Sequence, residues 1–476
     1  MKNIKFTIVF TALIILTSCS IDNVEPINVL LENNVINNES TAENVLNRIY
    51  NSGVRNSMYG HGIGGGGTEG LVFELSLAGP DGNLLIQSNS LNTFSTNNVT
   101  NDYFVLESFY TDMYYNINLA NYFIEKIEQG DAGVSESRKN ELIAEAKFFR
   151  AMSHFNLLKV FGQFYDVNSQ YGIVVSTAPI RDNVESPRSS VQDTYSVIID
   201  DLTFAANNAP AAREHYYISS TTAKALLAKV QLYMGDYANA ASNALSVINN
   251  TEGYALESNY SDVFNNKWGA ETLLAAYVDM DTEGAQAHRF TRQNIGPSSV
   301  LTTVADKQDG NSGDGSTDYA TGYDPRFSFG FSLDAANATP LIGKYPFSIN
   351  FTAGAGNTIK ILRMAELYLV YAEAEARRTG GDLQLALNRL NEVRSRAGVP
   401  LKSLSDKASL LQDIREEKML ELYCETGENW FDLVRYDRLG DVSAAAIKPS
   451  VSSVSKLVFP MPNNALLGNP NLEPNP

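Results

Sequence analysis

The sequence contains few of the residues that most often bind metals or form disulfides. Its 476 residues include two cysteines and four histidines. The histidines are His61, His154, His215 and His288, and none of them has the spacing of a metal-binding motif such as HExxH. The glycine-rich stretch GHGIGGGG at 60–67 lacks the Gly-Lys-Ser/Thr ending of a phosphate-binding loop. These patterns give no support to a zinc enzyme or a nucleotide-binding protein.

Basic residues are also scarce. There are 36 Lys and Arg against 54 Asp and Glu, which gives a net charge of −18. Such a balance disfavours nucleic acid and anionic lipid as partners, because both are bound by clusters of Lys and Arg. Beyond the N-terminus, no stretch has the roughly 20 apolar residues that a membrane-spanning helix needs. The apolar content of 44% is enough for a large core, so the sequence predicts a globular protein.

The N-terminus has the pattern of a secretory signal. A basic start, MKNIK, is followed by the eleven-residue apolar run FTIVFTALIIL and then by LTSC, which resembles the lipobox of bacterial lipoproteins. We expect residues 1–18 to be a lipoprotein signal peptide, Cys19 to carry the lipid anchor, and residues 19–39 to be a polar tether. The alternative is an ordinary signal with an unmodified cysteine. Cys424 is the only other thiol, and its apolar helical surroundings predict a small core residue.

Apolar residues recur at helical spacing over most of residues 40–476, which predicts a single all-α domain. The first helix is predicted to begin with a capping box of Ser40 and Glu43. Residues 223–248 and 365–393 repeat one another, since each contains two helices joined by a Gly-Asp turn, as in tetratricopeptide-type hairpins. We therefore expect a tetratricopeptide-like helical scaffold.

Three segments lack helical periodicity. Residues 54–102, 163–190 and 251–358 are rich in Gly, Asn, Ser and Thr, with short β-type runs such as ETLLAAYVDM. Long loops in a compact protein often carry the binding site. We expect long irregular loops with a few short strands, and a ligand-binding site mainly within 54–102 and 251–358.

The stretch ETGENWFDLVRYDRL at 425–439 combines carboxylates with an aromatic, as a sugar-cleaving site would. Glu425 and Asp432 fall on opposite sides of Gly427, however, and nothing fixes the separation of about 5–9 Å that glycoside hydrolysis requires. Trp430 lies at the three- to four-residue spacing of the buried face of a helix. Asp432 and Arg435 are three residues apart and are predicted to form an ion pair on the helix surface. We interpret this stretch as structural, with a catalytic role as the alternative.

Several motifs together resemble the SusD/RagB family, the surface glycan-binding lipoproteins of nutrient-uptake systems in Bacteroidetes. Their order along nearly the whole mature chain is more specific than any single motif. One departure is Asn429 in ETGENW, where Arg is common, which predicts the loss of a structural pairing. The motifs are YYNINLAN (114–121), AEAKFFRAMSHFNLLKVFG (144–162), SSVQDTYSVIIDDL (189–202), TAKALLAKVQLYMGDYANA (222–240), YDPRF (323–327), LRMAELYLVYAEA (362–374), LNRLNEVRSRAG (387–398), REEKMLELYCETGENWFDLVRYDRL (415–439) and the C-terminal VFPMPNNALLGNPNLEPNP.

The resemblance implies tetratricopeptide-like helices, a location in the outer membrane facing the cell exterior, a SusC-like TonB-dependent transporter as partner, and no enzymatic activity. The expected function is the non-catalytic capture of an oligo- or polysaccharide and its delivery to that transporter. Two alternatives remain open: an exported all-α enzyme such as a glycosidase, or capture of a peptide or other nutrient by the same fold.

A neutral glycan is bound by flat aromatic side chains with a few amides or carboxylates beside them. Such residues must come from exposed loops. The candidates are Trp268, Tyr319, Tyr323, Asp81 and Tyr103.

No cofactor is expected, with one qualification. The loop DKQDGNSGDGSTD at 306–318 offers hard oxygen ligands suited to calcium, although its spacing is not that of an EF-hand. A solvated loop without metal is the simpler interpretation. The calcium candidates are Asp306, Asp309, Asn311, Asp314 and Asp318.

Overall fold

Helices make up most of the structure, and they confirm the expected all-α class with a few short strands. The signal peptide, Cys19 and most of the tether lie outside the described residues. The structure is a computed structural model that describes residues 35–59, 70–84, 89–130, 132–182, 185–277, 295–308, 310, 313, 319–331, 343–346 and 358–476.

The helices within these residues are α1 Glu39–Val54, α2 Leu71–Ala78, α3 Asn89–Ser95, α4 Phe104–Glu128, α5 Glu136–Phe161, α6 Val191–Asn208, α7 Ser220–Met234, α8 Tyr237–Ile248, α9 Tyr260–Asn265, α10 Ser299–Gln308, α11 Pro325–Phe331, α12 Met364–Arg377, α13 Leu383–Ala397, α14 Lys407–Leu422, α15 Glu428–Arg438, α16 Ala444–Ile447 and α17 Asn463–Gly468. A single 3₁₀ turn in this part of the chain covers Val454–Lys456.

Both predicted helical hairpins are present. Helix α7 ends at Gly235, whose φ of +88° is a left-handed conformation that glycine adopts without strain. Asp236 then caps α8 by accepting a hydrogen bond from the backbone N–H of Asn239. Asp382 caps α13 in the same way, with the N–H groups of Gln384 and Leu385 as donors. In the first hairpin the Gly-Asp turn therefore ends one helix and begins the next, whereas in the second α12 already ends at Arg377, with Arg378 as its C-cap, and Asp382 begins α13.

The helices pack as a continuous series. In chain order, α4 packs on α5, α5 on α6, α6 on α7 and α7 on α8, and α8 then packs directly on α12, which contacts α13 and α14. Residues 249–363 are inserted between α8 and α12. The scaffold thus continues across the insertion as if the insertion were absent.

The first helix begins earlier than predicted. Helix α1 starts at Glu39, and the side chain of Asn38 accepts a hydrogen bond from the N–H of Thr41. The Thr41 hydroxyl in turn accepts a hydrogen bond from the N–H of Asn38, so these two residues form the capping box. The prediction of Ser40 and Glu43 was wrong because asparagine caps as well as serine and stands two residues earlier.

Two small antiparallel sheets organise the inserted segment. Strand β1, Gly82–Leu84, pairs with β3, Ile295–Pro297. Strand β2, Thr272–Ala275, pairs with β4, Lys360–Arg363, which leads straight into α12. The second pairing attaches the middle of the insertion to the start of the scaffold helix that follows it.

The stretch at 425–439 lies in the core. Trp430 is 1% exposed, which confirms its prediction as a core residue. Asp432 and Arg435 form the predicted pair at 2.7 Å, but both are buried rather than on the surface. Arg435 also pairs with Glu373 at 2.5 Å, and Lys418 pairs with Asp432 at 2.5 Å. The pair was misplaced because these buried partners come from α12 and α14, which the local sequence does not reveal.

A charge-balanced cluster of buried side chains joins the inserted segment to helices α13 and α14. We call it the buried ionic network. Its five cations and five carboxylates come from several parts of the described chain. They are Arg326, Lys344, Arg363, Arg394 and Arg396 with Glu271, Asp324, Glu417, Glu421 and Glu425.

Arg363 at the end of β4 lies at the centre of this network. Its guanidinium pairs with Glu271 at 2.7 Å, Glu421 at 2.5 Å and Glu425 at 2.8 Å. Burial by itself would raise the pKa of Glu425, but Arg363 and Lys344 together lower it below its ordinary value. Glu425 is therefore an ionised structural residue whose two oxygens both accept hydrogen bonds from Arg363.

We predict that Arg363→Met will lower the free energy of unfolding by about 3–5 kcal/mol, because it leaves three buried carboxylates without their shared cation. The matched control is Arg389→Met, which removes a partly exposed pair with Glu392 and should cost less than about 1 kcal/mol. Denaturant titration of both variants measures the difference. Equal losses in the two variants would contradict a central role for Arg363.

Candidate ligand-binding cleft

Five aromatic side chains from three distant segments meet at one face of the protein. We call this group the aromatic cleft. It draws on the end of α1, on the connection between α6 and α7, and on the residues that flank β2. Its members are Tyr50, Tyr216, Tyr217, Trp268 and Tyr277.

The centre of the cleft is a stepped platform of two parallel rings. Trp268 and Tyr277 have an interplanar angle of 2° and ring centroids 5.5 Å apart. Tyr216 meets both rings edge-on, with centroids at 5.4 Å from Trp268 and 5.0 Å from Tyr277. Tyr277 is 51% exposed, so part of the platform faces solvent. The arrangement presents a flat aromatic surface with a perpendicular wall.

The backbone around β2 fixes this platform. The indole Nε1 of Trp268 donates to the carbonyl of Ala276 at 3.3 Å. Lys360 on the paired strand β4 donates from Nζ to the carbonyls of Asn266 and Lys267, just before Trp268. Burial lowers the pKa of Lys360 to about 7, which reflects its enclosed position. The aromatic rings are therefore held by the strand pair rather than by a free loop.

A cavity of about 400 Å³ opens beside the platform. Tyr50, Tyr216, Tyr217 and Tyr277 form its aromatic wall. The end of α1 supplies its polar groups, the side chains of Asn47, Asn51 and Arg55. The volume falls within the usual range for small-molecule sites, and the mixture of rings with a few amides suits a ligand with both C–H faces and hydroxyls.

The floor of the cleft is supported by Tyr50. Its hydroxyl donates to the carboxylate of Glu145 and accepts from the backbone N–H of Ile218 at 3.1 Å. Arg213 also binds Glu145 at 2.9 Å and lies over the ring of Tyr217. Burial raises the pKa of the Tyr50 hydroxyl well above its ordinary value, so this group stays a neutral donor. These contacts connect α1 with the segment that carries Tyr216 and Tyr217.

Among the described residues that line this cavity there is no carboxylate. Glycoside hydrolysis needs two, one on each side of the scissile bond. The described part of the cleft can therefore stack and hydrogen-bond a ligand, but it offers no acid and base for cleaving a sugar.

Of the predicted site residues, Trp268 lies in the aromatic cleft. Tyr319 and Tyr323 pack elsewhere, edge-on to each other at 5.6 Å and against Phe327 at 5.0 and 5.5 Å. Tyr323 is only 9% exposed and Tyr319 is half-buried, so both contribute to the core under their loop. Tyr103 caps the start of α4 and packs edge-on against Phe94 at 5.2 Å. The expected residues thus belong to separate clusters, and ligand contact by them stays a prediction.

Asp81 is buried rather than exposed in its loop. Its Oδ2 accepts a hydrogen bond from the N–H of Cys424 at 2.9 Å, and its Oδ1 accepts from Asn429 Nδ2 at 2.6 Å. Cys424 is a buried free thiol, which confirms its prediction as a core residue, but its φ of +54° belongs to the turn after α14 rather than to a helix. Asn429 also donates to the carbonyl of Met419. Asp81 therefore secures the turn between α14 and α15, and Asn429 has hydrogen-bond partners in place of the arginine common in the family.

The calcium candidates lie mostly outside the described residues, namely Asp309, Asn311, Asp314 and Asp318. Asp306 is on α10, where its carboxylate accepts a hydrogen bond from the N–H of Gly313. Within the ranges that the structure covers, no three His, Cys, Asp or Glu side chains are grouped as metal ligands would be. Calcium binding stays a prediction for this loop.

Sequence reasoning missed Tyr50, Tyr216, Tyr217 and Tyr277. Tyr277 had the clearest signal, because it lies within the β-type run ETLLAAYVDM and stands nine residues after Trp268. Residues at the two ends of a short strand can converge when the flanking loops turn back. For the other tyrosines, no sequence pattern indicates that α1 and the α6–α7 connection meet.

Fold and site together define a helical-repeat protein with an aromatic cleft between its helical scaffold and an inserted segment. Two family models match the chain: the SusD family over residues 301–476, and a family described as starch-binding associating with outer membrane over residues 72–234. A SusD-like protein of Formosa agariphila is 25% identical, and the alignment covers 100% of this chain and 99% of the relative. The chain therefore matches the SusD family and a SusD-like family over two separate ranges, and it is similar to a SusD-like protein over its whole length.

Solved structures agree on the fold. A SusD superfamily protein from Bacteroides thetaiotaomicron is similar with a TM-score of 0.74 at 23% identity, covering 92% of this chain and 100% of that one. A laminarin-binding SusD-like protein has a TM-score of 0.70 at 22% identity, covering 92% of this chain and 99% of that one. Throughout the described parts of the present chain, every helix is too short or too polar for a bilayer crossing.

We predict a pH-dependent contribution from Asp81. Burial raises its pKa to about 6 from an ordinary value of 3.8. At a pH between these two values, the Asp81 carboxyl is therefore protonated in the folded chain and ionised in the unfolded chain. The wild type should therefore lose stability relative to Asp81→Asn as pH rises from about 4 to 6, by up to roughly 3 kcal/mol.

Denaturant titrations at several pH values test this prediction. Glu136→Gln, which changes a carboxylate that is 83% exposed, serves as the control. A stability difference between wild type and Asp81→Asn that stays constant over this range would contradict the raised pKa.

Proposed function

We propose that the protein captures a glycan in the aromatic cleft without cleaving it. The observation that supports this most is the parallel pair of the partly buried Trp268 and the exposed Tyr277 beside a cavity with amide groups. Aromatic faces stack on the C–H faces of sugar rings, and amides hydrogen-bond the hydroxyls. The starch-binding description of one matching family and the laminarin-binding relative support the same ligand class.

We propose that the protein does not cleave the glycan because its candidate catalytic carboxylates are already held in ion pairs. Glu425 accepts hydrogen bonds from Arg363 and Lys344, and Asp432 is paired with Lys418 and Arg435. All of them are buried. A carboxylate held in this way cannot exchange protons with a bound sugar, so the glycosidase alternative has no support from these residues.

Capture requires a location and an acceptor. We propose that Cys19 carries a lipid that anchors the protein in the outer membrane, facing the cell exterior. A lipid-anchored binding protein cannot itself move a nutrient across a bilayer. The match to the SusD family models supports a SusC-like TonB-dependent transporter as the partner that receives the glycan.

We predict that Tyr277→Ala and Trp268→Ala will each weaken oligosaccharide binding several-fold or more, because a few aromatic contacts dominate such an affinity. Laminarin- and starch-derived oligosaccharides are the first probes, with isothermal titration as the measurement. Tyr122→Ala is the matched control, since Tyr122 lies on α4 beneath the guanidinium of Arg181 and outside the cleft.

Reducing ends released by the same purified protein should stay at the level of the blank. Unchanged binding in both cleft variants would move the site elsewhere, with Tyr103 as the next position to test. Turnover that is lost on changing one Asp or Glu would support the enzyme alternative. Binding of peptides but not of glycans would support the third reading of the same fold.

We predict that Cys19→Ala will remove the protein from the outer-membrane fraction, because the lipid is its expected anchor. Fractionation and labelled fatty-acid incorporation measure this in cells grown on the nutrient. Wild-type protein pulled down in mild detergent should bring the transporter with it. Recovery of the wild type alone, or a variant that still sediments with the membrane, would count against the proposal.

A further inference from the structure

One face of α1 borders the aromatic cleft and carries two asparagines. Asn47, Tyr50, Asn51 and Val54 line the cavity at the spacing i, i+3, i+4 and i+7 of a single helix face. Tyr50 and Val54 form the buried inner edge of this face, and Asn47 and Asn51 form its exposed outer edge. The two asparagines are about one helical turn apart, roughly 6 Å along the axis. We call Asn47 and Asn51 the amide pair.

The amide pair contributes little to the stability of α1. Neither side chain makes a hydrogen bond within the part of the chain that the structure describes, and Asn38 is the residue that caps the helix. Asparagine is a weaker helix former than Ala, Glu or Lys, because its side chain competes for backbone hydrogen bonds. Two asparagines that neither cap nor pair therefore leave their amides available to a ligand.

The amide pair and the platform lie at the two ends of a row of rings. Tyr50, which stands between the two asparagines on α1, contacts Tyr217 with ring centroids 5.4 Å apart. Tyr217 contacts Tyr216 at 4.9 Å, and Tyr216 in turn contacts Trp268 at 5.4 Å and Tyr277 at 5.0 Å. Two tyrosines thus stand between α1 and the platform. A ligand that uses both ends of the cleft must extend along this row.

The chemistry of the amide pair fits a neutral, hydroxyl-rich chain. A primary amide has both N–H donors and a carbonyl acceptor, so it can donate to one hydroxyl and accept from another. Amides carry no charge, and they gain no ion pair from an acidic or basic ligand. Because Asn47 and Asn51 repeat along the helix axis, they can hydrogen-bond successive hydroxyls of one extended molecule.

We propose that Asn47 and Asn51 hydrogen-bond a different sugar unit of the glycan from the one that stacks on the platform. One sugar lies against Trp268 and Tyr277, and the chain then runs along the tyrosines to α1. The amide pair thereby makes the cleft prefer oligosaccharides to single sugars. This inference rests on the proposed glycan capture in the aromatic cleft, and it adds two specificity-determining residues and the course of the bound chain.

The test compares a trisaccharide with a single sugar on the mature full-length chain. The probes are maltotriose and laminaritriose with the corresponding methyl glucosides, measured by isothermal titration and ligand-observed NMR. The double variant Asn47→Ala with Asn51→Ala should bind the trisaccharide about tenfold more weakly, because neutral hydrogen bonds from two amides are lost. Its affinity for the methyl glucoside should be unchanged, since that sugar occupies the platform alone.

Asn44→Ala is the matched control. Asn44 is an exposed asparagine one turn earlier on the same helix, and it is not among the residues that line the cavity. This variant should bind both probes as the wild type does, and thermal unfolding verifies that all variants fold.

Three results would overturn the inference. If Tyr277→Ala weakens trisaccharide binding but the double variant does not, the amide pair has no role and the proposed capture in the cleft stands. If the double variant loses affinity equally for the trisaccharide and the methyl glucoside, the amides contact the stacked sugar rather than a second unit. If the wild type binds none of these sugars, the proposed glycan capture fails together with this inference.

Discussion

The buried ionic network is the constraint on which the rest of the described structure depends. Each of its charges would be expensive to bury alone, so each must have a partner, and most of these partners lie in another segment of the chain. Arg363 of β4 binds Glu421 of α14, and Arg396 of α13 binds Glu271 just before β2. These pairs bring the inserted segment and the C-terminal helices into one arrangement. Hydrophobic packing alone would tolerate small shifts that the paired charges do not.

The same network places the aromatic cleft. Glu271 precedes β2, and the strand separates Trp268 from Tyr277. Lys360, three residues before Arg363 on the paired strand, binds the carbonyls just ahead of Trp268. The two rings are therefore fixed before a ligand arrives, which reduces the entropy lost on binding. A flexible loop bearing the same side chains would bind more weakly.

The scaffold could be predicted from the sequence more fully than the site, because the scaffold has local signals and motifs whereas the site depends on contacts between distant segments. The motifs that carried the family resemblance contain residues of the buried ionic network: YDPRF contains Asp324 and Arg326, and LRMAEL contains Arg363. Helical periodicity and Gly-Asp turns are local signals, so the hairpins could be predicted. The partner of Asp81 is Cys424, 343 residues away, and no local pattern reveals it. Trp268 was found from its polar surroundings, but its convergence with Tyr216 depends on tertiary contacts.

The direct packing of α8 on α12 means that the insertion leaves and re-enters the scaffold within one pair of neighbouring helices. A segment with adjacent ends can grow, shrink or be exchanged at a small entropic cost, which rises only slowly with loop length. In this architecture, one continuous stretch of gene, between the codons for α8 and β4, can change in length or sequence while the scaffold helices keep their packing.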